Sequence, residues 1–79
     1  MNMDKLVKNT VLQLLTHLKE QGDIFNQMGG SFYSSIIADE MNKTNDQIRS
    51  YGVAVKFFQP CDGRVEWINL DELIEEYSA

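Results

Sequence analysis

The segment Ser34-Ser-Ile-Ile-Ala-Asp-Glu-Met-Asn-Lys-Thr-Asn-Asp-Gln-Ile-Arg-Ser-Tyr51 decides the fold of this chain. Just upstream, Ser31 fits a helix N-cap and predicts a helix that runs to about Met41. Residues 42–45, Asn-Lys-Thr-Asn, interrupt the apolar pattern. We expect the chain to turn there, and we expect a further helix to begin near Asp46.

The end of that further helix is ambiguous. Apolar residues continue at helical spacing as far as Phe58, which favours a helix over 46–58. Gly52 lies inside it and costs about 1 kcal/mol relative to alanine. The alternative is a strand over 53–59 that joins a second strand over 64–69 through an Asp-Gly turn. The sequence leaves both open.

The flanking segments predict two more helices. Residues 4–21 repeat apolar side chains at helical spacing, and Gly22 follows as an expected C-terminal stop. The connector at 23–30 contains Ile24-Phe25, which we interpret as a very short strand or a plug over the core. Asn69 is expected to cap a short final helix with an apolar stripe.

The charge of the chain is concentrated at one end. Its 79 residues carry a net charge of −5. Acidic and basic residues balance over 1–61, whereas 62–79 hold six acids and only Arg64 as a base. Strong DNA binders usually present a broad basic field, which this chain lacks. An acidic end can be a solvated helix face, or it can attract a basic partner.

The sequence offers little for chemistry. The lone Cys61 and the single His17 make no metal-ligand set, and neither lies in a pattern typical of a nucleophile. The chain has no apolar run long enough to cross a membrane and no signal-peptide pattern. We therefore predict a cytoplasmic protein that is not an enzyme and that needs no cofactor or metal.

Helix, turn, helix and an aromatic strand after an Asp-Gly turn resemble a winged helix-turn-helix over residues 31–70. Ala38 matches the small residue that lets the two helices of that family cross. Asn42 stands where the family usually has glycine, and Lys43 departs from its usual apolar residue. The resemblance implies a mainly α fold with a small β element: one domain over 1–79, a three-helix core with a helix-turn-helix, a short wing-like strand or hairpin, and a short C-terminal helix.

The resemblance also implies DNA binding as one possible function. The helix that begins near Asp46 would then be the recognition helix, and the chain would act as a homodimer. Base edges and phosphates would be contacted by five residues: Lys43, Gln47, Arg49, Lys56 and Arg64.

Binding of another protein is the function we favour from the sequence. If 46–58 is helical, Val53 and Phe57 form an exposed apolar pair bordered by charge, which is typical of a protein-binding patch. The predicted partner-binding residues are Arg49, Val53, Lys56, Phe57, Glu72, Glu75 and Glu76. Small acidic regulators from phages and mobile elements, such as antirepressors and inhibitors of host defence, are similar in size and charge. The expected partner is a protein, for example a repressor or another DNA-binding protein.

Overall fold

Three helices and one small hairpin make up the fold. The computed structural model describes residues 4–59 and 63–79. In chain order the elements are α1 (Lys5–Met28), α2 (Ser34–Ser50), β1 (Phe57–Phe58), β2 (Glu66–Trp67) and α3 (Leu70–Ser78). The predicted mainly α class, with a small β element and a short C-terminal helix, is confirmed.

Helix α1 is longer than predicted. Asp4 caps it by accepting a hydrogen bond from the Leu6 N–H, and the helix ends at Gly29, which adopts a left-handed φ of 56°. Gly22 is therefore not a stop but a buried helical residue, and the segment Ile24-Phe25 is helical as well. The space beside Gly22 is filled by the Trp67 ring, so a partner distant in sequence compensates for the poor helix propensity of glycine.

Helix α2 is continuous, so the predicted turn at 42–45 is wrong. Thr44 is buried in this stretch and its hydroxyl donates to the Glu40 carbonyl, one helical turn earlier. The helix ends where the Tyr51 and Gly52 N–H groups bond the Ile48 and Arg49 carbonyls, with Gly52 at a φ of 82°. No separate recognition helix begins near Asp46.

The hairpin alternative is confirmed and the helix over 46–58 is wrong beyond Ser50. The strands pair antiparallel, with Phe57 opposite Trp67 and Phe58 opposite Glu66. Of the predicted connection at 60–63, Gly63 has a φ of 83°, and residues 60–62, including Cys61, lie outside the described residues.

Two asparagine side chains attach the hairpin to the helices. The side-chain amide of Asn26 on α1 makes two hydrogen bonds to the backbone of Val65. It accepts from the Val65 N–H at 2.8 Å and donates to the Val65 carbonyl at 3.0 Å. Asn69 precedes α3 as predicted, but its side chain does not cap that helix. Instead it accepts from the Lys56 N–H and donates to the Ala54 carbonyl.

The core lies where α1 meets α2, α3 and the segment after α2. Its buried members are Val11, Leu15, Leu18, Ile48, Val53, Val55 and Leu70. Trp67 of β2 is partly buried and packs against this cluster. Ile36 and Tyr33, at the start of α2, lie outside the core and are 51% and 61% exposed.

Candidate functional site: an acidic helix, an apolar hairpin and a groove

The exposed side of α3 is acidic throughout. Leu70, Leu73, Ile74 and Tyr77 turn toward the core, which leaves the carboxylates in solvent. The exposed acidic residues are Asp71, Glu72, Glu75 and Glu76. Two of them stand in the first turn, where the helix dipole favours negative charge. The predicted exposure of the three glutamates agrees with the structure.

Only one of these carboxylates has an ion-pair partner among the described residues. Asp71 pairs with Lys19 of α1, and this hydrogen bond and charge together raise the pKa of Lys19 above its ordinary value, against a small opposing effect of desolvation. Within 4–59 and 63–79, Glu72, Glu75 and Glu76 have no such partner. Their negative charge is therefore available to a second molecule.

The outer face of the hairpin combines two exposed apolar side chains with two charged ones, and β2 leads directly into this helix. Because side chains alternate along a strand, the register places Lys56, Phe58, Glu66 and Ile68 on one face. Phe58 is 56% exposed and Ile68 is 63% exposed. We call these four residues the hairpin face. Ile68 stands two residues before α3, so the hairpin face adjoins the acidic first turn of that helix.

The predicted Val53–Phe57 patch does not exist. Val53 is buried in the core with 6% exposure, because α2 ends at Ser50 and the predicted helix does not continue to it. Phe57 is 43% exposed and makes an edge-to-face contact with Trp67, with ring centroids 5.9 Å apart. Of this predicted pair, only Phe57 can contact a partner.

The predicted basic residues on α2 stand beside acids. Lys43 pairs with Glu40 at 3.5 Å, and Arg49 lies 3.9 Å from Asp46, each one helical turn away. All four side chains are exposed, so these pairs are weak, yet each basic charge is accompanied by a negative one.

The other predicted DNA contacts are spread over different elements. Gln47 is exposed on α2, whereas Lys56 belongs to the hairpin face and Arg64 lies between the turn and β2. The structure does not place these residues on one recognition helix.

A groove of about 90 Å³ separates α2 from the inner face of the hairpin. Leu18 and Phe25 of α1 also line it. The hairpin contributes Phe57, Gln59, Val65 and Trp67, and α2 contributes Ala38, Met41, Asn42 and Asn45. None of these side chains is charged. The sequence analysis missed this groove, since it forms only when the hairpin folds back over two helices.

A second apolar surface lies between α1 and α2 and was also missed. Phe32 is 82% exposed, and its ring meets the Tyr33 ring edge to face at 5.4 Å. Ile36 follows on the first turn of α2. The glycine pair Gly29-Gly30 indicates a loop at this point of the sequence. A loop has no regular periodicity, so the sequence does not show whether its aromatic side chains are exposed or buried.

Two buried polar atoms have no hydrogen-bond partner in the part of the chain that is described. They are the Gln21 side-chain oxygen and the Trp67 indole nitrogen. Gln21 immediately precedes Gly22, whose α-carbon faces the same indole ring. An acceptor and a donor are thus left unpaired where α1 contacts the hairpin.

The described residues provide no metal site and no membrane span. Within 4–59 and 63–79, no group of three or more histidine, cysteine or acidic residues is arranged to hold a metal ion. Among the described helices, none combines the length and the apolar character needed to cross a bilayer. His17 is exposed on α1.

Comparison with known proteins gives no relative. No family model, no curated protein and no solved structure matches this chain. The winged-helix resemblance therefore stays a prediction.

Proposed function

We propose that this chain is a small non-enzymatic regulatory protein that acts in the cytoplasm by binding a basic surface of another protein. The observation that carries the proposal is that the hairpin face leads directly into α3, whose exposed side is acidic. Glu72, Glu75 and Glu76 attract basic groups, while Phe58 and Ile68 supply apolar contact area. Interfaces commonly combine buried apolar anchors with charged residues at the rim.

Charge favours a protein partner over duplex DNA. A DNA-binding surface gains most of its affinity by neutralising phosphates, so it needs several basic side chains that face the same way. Here Lys43 and Arg49 have acidic neighbours, and α3 carries no base. A basic protein surface is the complementary partner, for example the nucleic-acid-binding face of a regulator.

Affinity capture from a lysate of the organism that carries the gene tests the proposal. We expect the wild-type chain to retain a basic protein. We expect the variant Glu75→Lys/Glu76→Lys to retain at least tenfold less of that protein. The matched control is Glu20→Lys, which reverses an exposed acid on α1. A partner retained equally by the double variant and by the control would contradict the proposal.

A second pair of variants tests the apolar residues of the hairpin face. We expect Ile68→Ser to weaken capture of the same partner, because it removes an exposed anchor of the hairpin face. Leu6→Ser is the control, since Leu6 is 72% exposed on α1. Equal loss in both variants would show that general surface apolarity, and not the hairpin face, drives capture.

Fluorescence anisotropy with labelled random duplex DNA separates the two functions. We expect no binding at low salt. Binding that falls steeply with added salt would mean that several phosphates are neutralised, and it would replace the proposal with DNA binding.

A further inference from the structure

The α2–hairpin groove carries an inference that rests on the proposed function and specifies how the partner is held. Its walls are apolar and aromatic and include no charged side chain. A cavity of ~150 Å³ holds a benzene molecule, so about 90 Å³ suits an uncharged group of roughly Val to Leu size.

A polar side chain of α2 faces the groove. Asn45 of α2 is 9% exposed and lines the cavity. Its amide makes no hydrogen bond with any residue in 4–59 or 63–79. Because this amide lines an open groove and is unpaired within the described chain, it can exchange water for the backbone of a ligand that enters the site.

The two other asparagines that contact the hairpin show what such an amide can bind. Asn26 bonds the N–H and the carbonyl of Val65, and Asn69 bonds an N–H and a carbonyl of the segment before β1. In both cases the side-chain amide holds extended backbone by donating once and accepting once. Asn45 offers the same donor and acceptor, but its amide holds no backbone group of the described residues.

One edge of the sheet is also open. The Ile68 N–H donates to the Lys56 carbonyl, which therefore points toward β2. Because the N–H and carbonyl groups of successive residues point to opposite sides of a strand, those of Phe58 also point toward β2 and those of Phe57 point away from it. On the other side of the hairpin, Asn26 bonds the backbone of Val65, the residue before β2. No equivalent contact within the described chain closes the edge at Phe57, whose side chain lines the groove.

We propose that the groove binds an extended segment of the partner protein. The segment adds a strand to the open edge of β1, bonds the Asn45 amide through its backbone, and places one uncharged side chain of Val to Leu size in the cavity. This is strand addition, in which backbone hydrogen bonds supply affinity and a side-chain pocket supplies specificity. Charged side chains of the segment remain outside the cavity, where the acidic α3 can attract basic ones.

A displayed library of random dodecapeptides, selected on the whole chain, provides the probes. Enriched peptides are synthesised and titrated while the fluorescence of Trp67 is followed, since this is the only tryptophan and it lines the groove. We expect one position of the enriched peptides to be restricted to Val, Leu, Ile or Met.

Three variants test the groove residues directly. Asn45→Ala removes the amide, Asn45→Asp keeps its shape but loses the donor, and Ala38→Leu fills the cavity. We expect each to weaken peptide binding at least tenfold while the far-UV circular dichroism spectrum stays unchanged. Asn9→Ala and Asn9→Leu are the matched controls, because Asn9 is exposed on α1, and they should bind within twofold of the wild type.

Two results would overturn the inference without overturning the proposed function. One is enrichment of peptides that bind all three groove variants within twofold of the wild type. The other is failure to enrich any peptide while the whole partner is still captured and still lost from Glu75→Lys/Glu76→Lys. Failure of capture itself would instead count against the proposed function.

Discussion

Replacement of Gly22 by alanine tests the contact that joins α1 to the hairpin. A β-carbon on Gly22 would lie 2.5 Å from Cζ2 of Trp67 and 2.9 Å from both Cε2 and Nε1. These distances are well inside van der Waals contact. The indole is held by the core cluster and by Phe57, so it cannot simply rotate away.

Two opposing effects determine how much Gly22→Ala changes the free energy of unfolding. Alanine gains about 1 kcal/mol over glycine in a helix interior. Overpacking by an extra methyl group costs about 1–3 kcal/mol, and the 2.5 Å approach places this site at the upper end. We expect Gly22→Ala to lower the free energy of unfolding by about 2 kcal/mol. The midpoint of thermal unfolding should fall by roughly 8–16 °C.

A double-mutant cycle isolates the cause. Phenylalanine at position 67 lacks the second ring that meets the added methyl group, so Gly22→Ala should stabilise the Trp67→Phe variant by about 1 kcal/mol. Urea unfolding followed by circular dichroism at 222 nm measures all four chains, with Asn9→Ala as a control for helix propensity alone. If Gly22→Ala stabilises the chain while Trp67 is present, the packing account of this position is refuted.

Three further predictions follow from the same structure. Asn26→Ala should destabilise the chain by about 1–3 kcal/mol, because it leaves the Val65 N–H and carbonyl unpaired. If urea unfolding gives Asn26→Ala the same free energy of unfolding as Asn9→Ala, this role of Asn26 is contradicted. Gln21→Leu should leave stability unchanged or raise it by about 1 kcal/mol, since it removes a buried oxygen that has no partner, and a clear loss in the same assay would show that the amide is bonded after all. The pKa of Lys19 is raised by Asp71, so the stabilising effect of this pair is complete below the unfolded-state pKa of lysine and is lost as pH rises through the folded-state value. The stability difference between wild type and Asp71→Asn should therefore shrink over that range, and a difference that does not change with pH would contradict the assignment.

Local sequence patterns predicted the elements whose causes are local. The apolar stripe of α1 and that of α3 face the core as expected, and Asn69 does precede the last helix. The hairpin was foreseen as one of two alternatives, although its first strand covers only Phe57–Phe58 of the predicted 53–59. The helix was favoured because apolar residues in this short segment fit both periods, and only burial of Val53 and Val55 decides between them.

The errors come from contacts distant in sequence. Gly22 has the pattern of a helix stop, yet Trp67, 45 positions later, fills the space beside it and the helix continues. Residues 42–45 have weak helix propensity, but burial of Thr44 and Asn45 keeps α2 unbroken. The groove depends on three elements meeting, so no single segment indicates it.

The acidic side of α3 could be predicted from the distribution of charge along the sequence, whereas the apolar half of the site could not. The sequence placed that half at Val53 and Phe57, on a helix that does not form. In the structure the exposed residues are Phe58 and Ile68, and alternation along a paired strand is what turns them outward. Knowledge of the register was required to find them.

Mapping the contact surface on the isotopically labelled chain tests the central claim most directly. Amide chemical shifts are compared before and after addition of the captured partner. The account predicts the largest changes at Phe58, at Ile68 and along the acidic side of α3, with none on the exposed side of α1 around Asn9 and Thr16. Changes centred on α1, with α3 and the hairpin face unaffected, would contradict it.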